Sequence, residues 1–218
     1  KSTFINMLAD VVKPDEGEIL VGTDKISYKP QEVSPSIFRF ETVKENLADA
    51  SKDAVDPTSW LYDELTRRLG LNKMLDRKVT ELSGGELQKL AVAVTLAREA
   101  DVYLLDEPSA YLDVEERVSV ARLIRRVVEE KRKAAIVVEH DLLFQNYVSD
   151  KIMVFTGKPS VEGVALRPSD IRTGFNNLLK QLDVTVRRDP ETGRPRINKP
   201  GSYLDREQKT RGEYYLPD

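Results

Sequence analysis

Two short stretches of this chain carry residue types that suit phosphate chemistry. The first, Leu82-Ser83-Gly84-Gly85-Glu86, sets two glycines beside a hydroxyl. A backbone without side chains can approach an anion closely, and the first N–H groups of a following helix face outward. The plainer reading is a helix start in which Ser83 caps and Glu86 completes a capping box. The second, Val102-Tyr103-Leu104-Leu105-Asp106-Glu107, is an apolar run ending on two acids. At the C-terminal end of a buried strand, Asp106 can hold Mg²⁺ directly or through water, and Glu107 can polarise an attacking water. The plainer reading there is an acidic strand end before a turn at Pro108.

Three more positions gain meaning from their order. His140, the only histidine, follows the apolar run Ala134–Val138. After a second core strand it falls beside Glu107, where it can contact a γ-phosphate and the attacking water; alone it reads as a structural histidine. Gln31 follows Tyr28-Lys29-Pro30 and can sense Mg²⁺ and water from a strand end; alone it is a solvated glutamine. The chain opens on Lys1-Ser2-Thr3 without an initiator Met. At the mouth of a helix, a Lys reaches β/γ-phosphates and a Ser binds Mg²⁺, and the Gly-rich half of that motif is expected before residue 1. Ser109–Asp113 follows the acidic pair, and it also reads as a turn capping a helix from Val114.

The elements that must position these residues follow from pattern. Apolar spacing predicts helices over Lys1–Ala9, Thr42–Ala48, Trp60–Leu69, Val114–Lys131 and Asp141–Val148, with another opening at Ser83-Gly84-Gly85 and running to about Ala97. Glu18–Val21 and Lys25–Tyr28 are short strand candidates. Val102–Leu105 and Ala134–Val138 are continuous apolar strands of the kind buried on both faces of a parallel sheet, and Lys151–Phe155 is expected to be a third. The alternation predicts a doubly wound α/β core with right-handed crossovers. One more helix is expected near Pro168–Leu182.

Composition narrows the classes. The chain has 218 residues, 34 Lys and Arg against 37 Asp and Glu, and a formal charge of −3, so it is no polycation held to nucleic acid by bulk charge. With no Cys there is no disulfide, zinc finger or iron–sulfur cluster within these residues, and one His excludes a multi-histidine metal site. The apolar stretch Leu90–Ala97 is far short of the roughly 20 residues that span a bilayer. From Arg187 to Arg211, eight basic residues face four acids, a local balance of +4. With Tyr203, Tyr214 and Tyr215 nearby, that segment suits phosphate contact and stacking on RNA; it also reads as a solvated tail packed on itself or a partner.

Taken in order and spacing, these motifs resemble those of an ATP-binding cassette (ABC) ATPase from Lys1 to about Phe155. The resemblance implies a P-loop NTPase fold with a mainly parallel sheet, a helical signature subdomain over about 38–100, and a cassette spanning 1–158. It implies ATP and Mg²⁺ as cofactors. Lys1 would bind β/γ-phosphates, Ser2 ligate Mg²⁺, Thr3 touch the α-phosphate, and Asp106 and Gln31 serve the metal. Glu107 would be the catalytic base and His140 the γ-phosphate sensor. Ser83, Gly84, Gly85 and Glu86 would form the signature that grips ATP held by a partner cassette, and Asp113 would close the D-loop.

Ser83–Gln88, Asp106–Asp113 with Tyr111, and Val137–Asp141 are more specifically similar to subfamily E, the ribosome-recycling or RNase L inhibitor ATPases. The Arg-Pro-rich ending, with Arg194, Arg196 and Lys199, resembles the hinge of that family's second cassette, so 159–218 is expected to be a C-terminal helix and basic extension. The resemblance implies a first cassette of the same polypeptide, the ribosomal small subunit with its RNA, and release or splitting factors as partners. It implies a cytoplasmic protein without a membrane partner, and 4Fe-4S clusters in an N-terminal domain outside this Cys-free chain. A transporter ATPase subunit is the alternative. A chromosome-maintenance ATPase would need sustained heptads between Gln31 and Leu82, which are missing. Against a purely docking module stand the intact Asp106, Glu107 and His140.

Overall fold

The computed structural model describes residues 1–158, 162–191, 193 and 195–215. The chain divides into two compact units, Lys1–Tyr147 and Val148–Asp218. The first unit runs α1 (Ser2–Leu8), β1 (Ile26–Lys29), α2 (Val43–Ala50), α3 (Gly84–Ala97), β2 (Val102–Asp106), α4 (Val114–Glu130), β3 (Ala134–Val138) and α5 (Leu142–Val148).

A parallel sheet of order β1-β2-β3 forms its centre. Tyr28 stands opposite Leu104, and Leu104 opposite Ile136. Parallel neighbours need crossovers, which α2 and α3 supply before β2 and α4 supplies before β3. Side chains alternate across the sheet. Leu104 and Val138 pack with Ile5 of α1, flanked by Leu8, Tyr28 and Ile136. On the other face, the Ser27 hydroxyl donates to the Thr95 carbonyl at 2.8 Å and the Tyr103 hydroxyl to the Arg98 carbonyl at 2.8 Å. Because β2 is covered on both faces, Tyr103, Leu104 and Leu105 are all fully buried, which is why the strand reads as one apolar run.

Lys29 ends β1 on the same face as Ser27 and is buried. Its ammonium donates to the carbonyl of Asp106 at 2.7 Å and of Pro30 at 2.8 Å, joining the ends of β1 and β2. Burial brings its pKa down from 10.5 to about 8, against the opposing charges of Asp106, Glu107 and Glu139.

Between β1 and β2 the chain is helical. Thr42 and Glu45 form a complete capping box on α2. The helix expected over 60–69 is a π-helical turn, Tyr62–Arg67. Its buried Glu64 accepts from Arg126 of α4 at 3.1 Å and from Arg68 at 3.0 Å, so the turn is fastened to α4 by a paired carboxylate. The strand expected at 18–21 is not formed. A strand exists through its partner, these residues pair with none among the described ones, and Leu20 is exposed.

The second unit contains β4 (Lys151–Ile152), β5 (Phe155–Lys158), β6 (Glu162–Ala165), β7 (Ser169–Asp170), α6 (Ile171–Gln181), β8 (Val186–Arg188), β9 (Pro195–Ile197) and α7 (Tyr203–Arg211). The expectation that 151–155 is a third core strand is corrected. It splits into β4, antiparallel to β7, and the start of β5, antiparallel to β6. A short apolar run reads alike in either setting, and only the partner tells them apart. The third strand of the parallel sheet is β1, where Ser27 and Lys29 interrupt the apolar pattern.

Among its described residues, the basic C-terminal segment forms paired strands and a helix. β8 and β9 pair with Arg187 opposite Arg196. Thr185, Asn198, Asp205 and Gln208 are buried together: Thr185 donates to Asp205 at 2.6 Å, Asn198 donates to Thr185 at 3.0 Å and to Gln208, and Gln208 donates to the Val186 carbonyl at 3.1 Å. Sequence reading missed α7, although its signals are present. Ser202 caps it by accepting from the Asp205 N–H, and Gly212 closes it with a φ of 70°.

Two outcomes test this packing. Gly174 of α6 lies so close to Ile152 that an added Cβ would collide with the Ile152 side chain. Gly174→Ala should therefore destabilise the second unit by about 1–3 kcal/mol, seen as a lower thermal midpoint, despite alanine's better helix propensity. Lys29 binds fewer protons folded than unfolded between its two pKa values. Its burial penalty is thus full below about pH 8 and relieved as pH rises toward 10.5. By urea unfolding followed at Trp60 without divalent cations, wild type should gain roughly 2 kcal/mol on Lys29→Met between about pH 7 and about pH 10. A flat difference would mean that the ammonium is not held out of water.

Candidate active site at the strand ends

Three consecutive C-terminal ends of the parallel sheet meet at one edge. Gln31 follows β1, Asp106 ends β2 with Glu107 next, and His140 follows β3. Asp106 stands opposite Val138 in the register, and the Glu107 N–H donates to the Val138 carbonyl at 2.9 Å. This fixes Glu107 between its two neighbours. Its φ of 46° turns the chain sharply out of the strand, a conformation unusual for a residue other than glycine.

The side chains converge on one oxygen. Glu107 Oε1 accepts from Gln31 Nε2 at 3.0 Å and lies 3.2 Å from His140 Nε2. The Ser2 hydroxyl, in the first turn of α1, donates to Gln31 Oε1 at 3.3 Å. Ser2, Gln31, Glu107 and His140 thus form one chain of contacts from residues up to 138 positions apart in sequence. His140 is well exposed and Glu107 partly so, leaving their reactive edges open to a ligand.

Beneath them Asp106 is fully buried, and neither carboxylate oxygen has a hydrogen-bond partner. Burial and then the Glu107 charge push its pKa up, while the nearby Ser2 hydroxyl and Lys29 pull the other way. A buried carboxylate without donors is costly, and a hard cation supplies what it lacks. With Ser2 Oγ and Gln31 Oε1 it offers an oxygen set suited to Mg²⁺. Among the described residues, no group of three or more His, Cys, Asp or Glu could hold a metal. Mg²⁺ needs no such cage, because it keeps waters and takes ligands from bound phosphates.

Among the described residues of the first unit, the other expected positions form no hydrogen bond or ion pair with this group. Lys1 is the exposed N-cap of α1, and Thr3 is exposed in its first turn. Ser83 caps α3, and the capping box with Glu86 is complete: the Ser83 N–H donates to Glu86 at 2.7 Å. That bond, foremost, holds the Glu86 carboxyl below its ordinary pKa, and Arg77 adds to it at 3.0 Å. Glu86 is thereby spent on the helix start. Gly84 and Gly85 lie against Tyr111, and a Cβ on Gly85 would stand 3.1 Å from the Tyr111 carbonyl. Asp113 caps α4, accepting from the Glu116 N–H at 2.8 Å. In the second unit Arg196 pairs with Asp189 at 3.0 Å yet stays largely exposed, and Lys199 is exposed. Arg194 lies outside the described residues.

Sequence reading missed two supports. Gln88, fully buried in α3, donates to the Glu107 carbonyl at 2.7 Å, tying α3 to the turn that follows β2. Arg117 of α4 donates to the Leu112 carbonyl at 2.9 Å and to Asp141 at 3.0 Å. Gln88 had a signal, a polar residue among apolar ones on a buried helix; Arg117 had none.

Comparison with known proteins agrees with this geometry. The family profile described as ABC transporter matches residues 1–110. An uncharacterised ABC transporter ATP-binding protein of Methanocaldococcus jannaschii is 50% identical over 219 residues, covering 100% of this chain and 36% of that protein. Translation initiation factor RLI1 of Saccharomyces cerevisiae is 40% identical over 218 residues, covering 100% of this chain and 35% of the factor. Among solved structures, an RNase-L Inhibitor superposes with a TM-score of 0.91 at 50% identity, over 100% of this chain and 42% of that one. A chain from a ribosome-bound archaeal Pelota and ABCE1 assembly gives 0.91 at 50% identity, over 99% and 36%. This chain spans about a third of the length of the curated relatives it matches. The ordered motifs, the strand-end cluster and these likenesses together show that the chain belongs to the ABC family of ATPases and, within it, to subfamily E, the RNase L inhibitor group.

Proposed function

We propose that this chain is the second cassette of a ribosome-recycling ATPase, binding Mg·ATP and hydrolysing it when it closes head-to-tail on a first cassette. One observation carries the reading: Glu107 Oε1 sits between Gln31 Nε2 and His140 Nε2, next in the chain to the buried Asp106, whose carboxylate has no hydrogen-bond partner. Glu107 takes the proton of the attacking water. His140 and Gln31 hold that water and the γ-phosphate oxygens in line. Lys1 offsets phosphate charge, and Thr3 contacts the α-phosphate. Ser2, Gln31 and Asp106 would hold Mg²⁺, which when bound would offset phosphate charge.

Closure excludes water and lets Ser83, Gly84 and Gly85 grip nucleotide seated on the partner cassette, with Asp113 closing the D-loop beside it. Loss of the γ-phosphate removes contacts made only in the closed state, so the cassettes reopen. In this reading, closure parts the ribosomal subunits in the cytoplasm. The basic extension, with Arg194, Arg196 and Lys199, contacts small-subunit RNA, and release or splitting factors act beside it. The iron–sulfur clusters expected of the subfamily belong to another part of the polypeptide. The reading is supported over a transporter subunit by the 40% likeness to RLI1 and by the superposition on ABCE1 from a ribosome-bound assembly. Among the described residues, no helix is long and apolar enough to cross a membrane.

In the intact protein, Glu107→Gln should bind ATP as wild type does while phosphate release falls by a factor of about 10²–10⁴. Wild-type turnover in that variant would remove Glu107 from the role of base. Co-sedimentation with ribosomal small subunits should require a non-hydrolysable ATP analogue, weaken on added salt, and weaken further with Arg194, Arg196 and Lys199 changed to Ala. Binding indifferent to nucleotide and to these changes would leave the ATPase without its ribosomal role.

A further inference from the structure

Glu139, between β3 and His140, is buried, and the chemistry above makes no use of it. Its two oxygens serve two different loops. Oε1 accepts from the N–H groups of His140 at 2.7 Å and Asp141 at 3.3 Å, which fixes the loop that carries the histidine. Oε2 accepts from the N–H of Ser109 at 3.3 Å, at the start of the loop that follows Glu107. A single carboxylate thus clasps the backbone on both sides of the site.

The Ser109 loop leads on to the signature. Its Ala110 N–H donates to the Glu107 carbonyl at 3.2 Å, and its Leu112 N–H to the Ser109 carbonyl at 3.3 Å. Tyr111 turns through a φ of 63° and lies on Gly84 and Gly85, with no room for a side chain at Gly85 without displacing the Tyr111 carbonyl. The position of Ser109 therefore propagates to the start of α3. A second link between the same loops runs through Arg117, from the Leu112 carbonyl to Asp141, but that pair is partly exposed and weaker for it. Glu139 is the buried link.

We propose that Glu139 is a positioning residue that holds the His140 loop and the Ser109–Asp113 loop in one register, so that histidine and base meet this cassette's nucleotide as the signature meets the partner's. This rests on the ATPase reading above. A carboxylate is needed because both oxygens must accept. In Glu139→Gln the amide oxygen keeps the two N–H groups of His140 and Asp141, and the NH₂ group meets the Ser109 N–H, donor against donor. That variant cuts one link and spares the local turn at His140. Glu139→Ala cuts both.

The test uses the full-length protein, with Glu107→Gln as the inactive reference, and reads ATP turnover and amide hydrogen exchange. Glu139→Gln should exchange about tenfold faster in the Ser109–Asp113 segment and lose about tenfold in kcat, with KM for ATP within about twofold and the thermal midpoint nearly unchanged. Glu139→Ala should lose more kcat at a similar KM. Unchanged exchange in Glu139→Gln would overturn the link itself. Faster exchange with wild-type kcat would overturn its catalytic consequence. A parallel loss in kcat, KM and thermal midpoint would reduce Glu139 to a structural residue. If wild type matches the Glu107→Gln reference, the ATPase reading fails instead, and the exchange measurement still decides whether Glu139 joins the loops.

Discussion

A carboxylate buried with both oxygens unpaired is among the costlier things a small fold can contain, and Asp106 is such a group. The rest of the first unit is arranged so that it can stay there. β2 lies between β1 and β3, so Asp106 is delivered at a strand end that cannot shift without breaking two ladders. Lys29 brings a buried positive charge to the backbone of the same residue rather than to its carboxylate, which leaves the oxygens free for a ligand. Burial disfavours both charges, raising the pKa of Asp106 and lowering that of Lys29. The polarity of the site is thus set by packing before any ligand binds. Such strain is expected where a protein keeps a binding site ready.

Everything above Asp106 is a matter of register. The contacts of Glu107 with Gln31 and His140 exist because parallel strands place their C-terminal ends side by side. Gln31, Glu107 and His140 each sit one or two residues past a strand, where the backbone is still held and the side chain projects beyond the sheet. Supports come from helices: Gln88 of α3 on the Glu107 carbonyl and Arg117 of α4 between the two loops. The signature differs in kind. Ser83 and Glu86 complete a helix start, and the glycines admit Tyr111, so the segment is shaped by its own unit while its proposed ligand is held by another cassette.

The second unit shows how little a charge count says about order. The segment from Arg187 to Arg211 has the composition of a solvated basic tail. Yet it folds around Thr185, Asn198, Asp205 and Gln208, a polar cluster in which each side chain bonds another. Satisfied hydrogen bonds here replace the apolar residues a larger core would use. Arg196 and Lys199 remain outward on that frame, so their exposure is built in.

Sequence alone determined the strands β2 and β3, the helices α3, α4 and α6, and the types of residue at the site. These rest on local rules: apolar runs, helical spacing, caps, and acids placed after a strand. The identity of Glu107, His140 and Gln31 as one group was legible through motif order, because each falls just after a core strand. Tertiary structure alone decided which strands share a sheet, since β1 carries Ser27 and Lys29 and a two-residue β4 looks no different from a core strand until its partner is known. It alone decided that Asp106 has no partner, that Lys29 caps its backbone, and that Glu139 clasps two loops. Those facts depend on groups up to 77 residues apart meeting in a buried space, and no local pattern encodes which donors will be within reach.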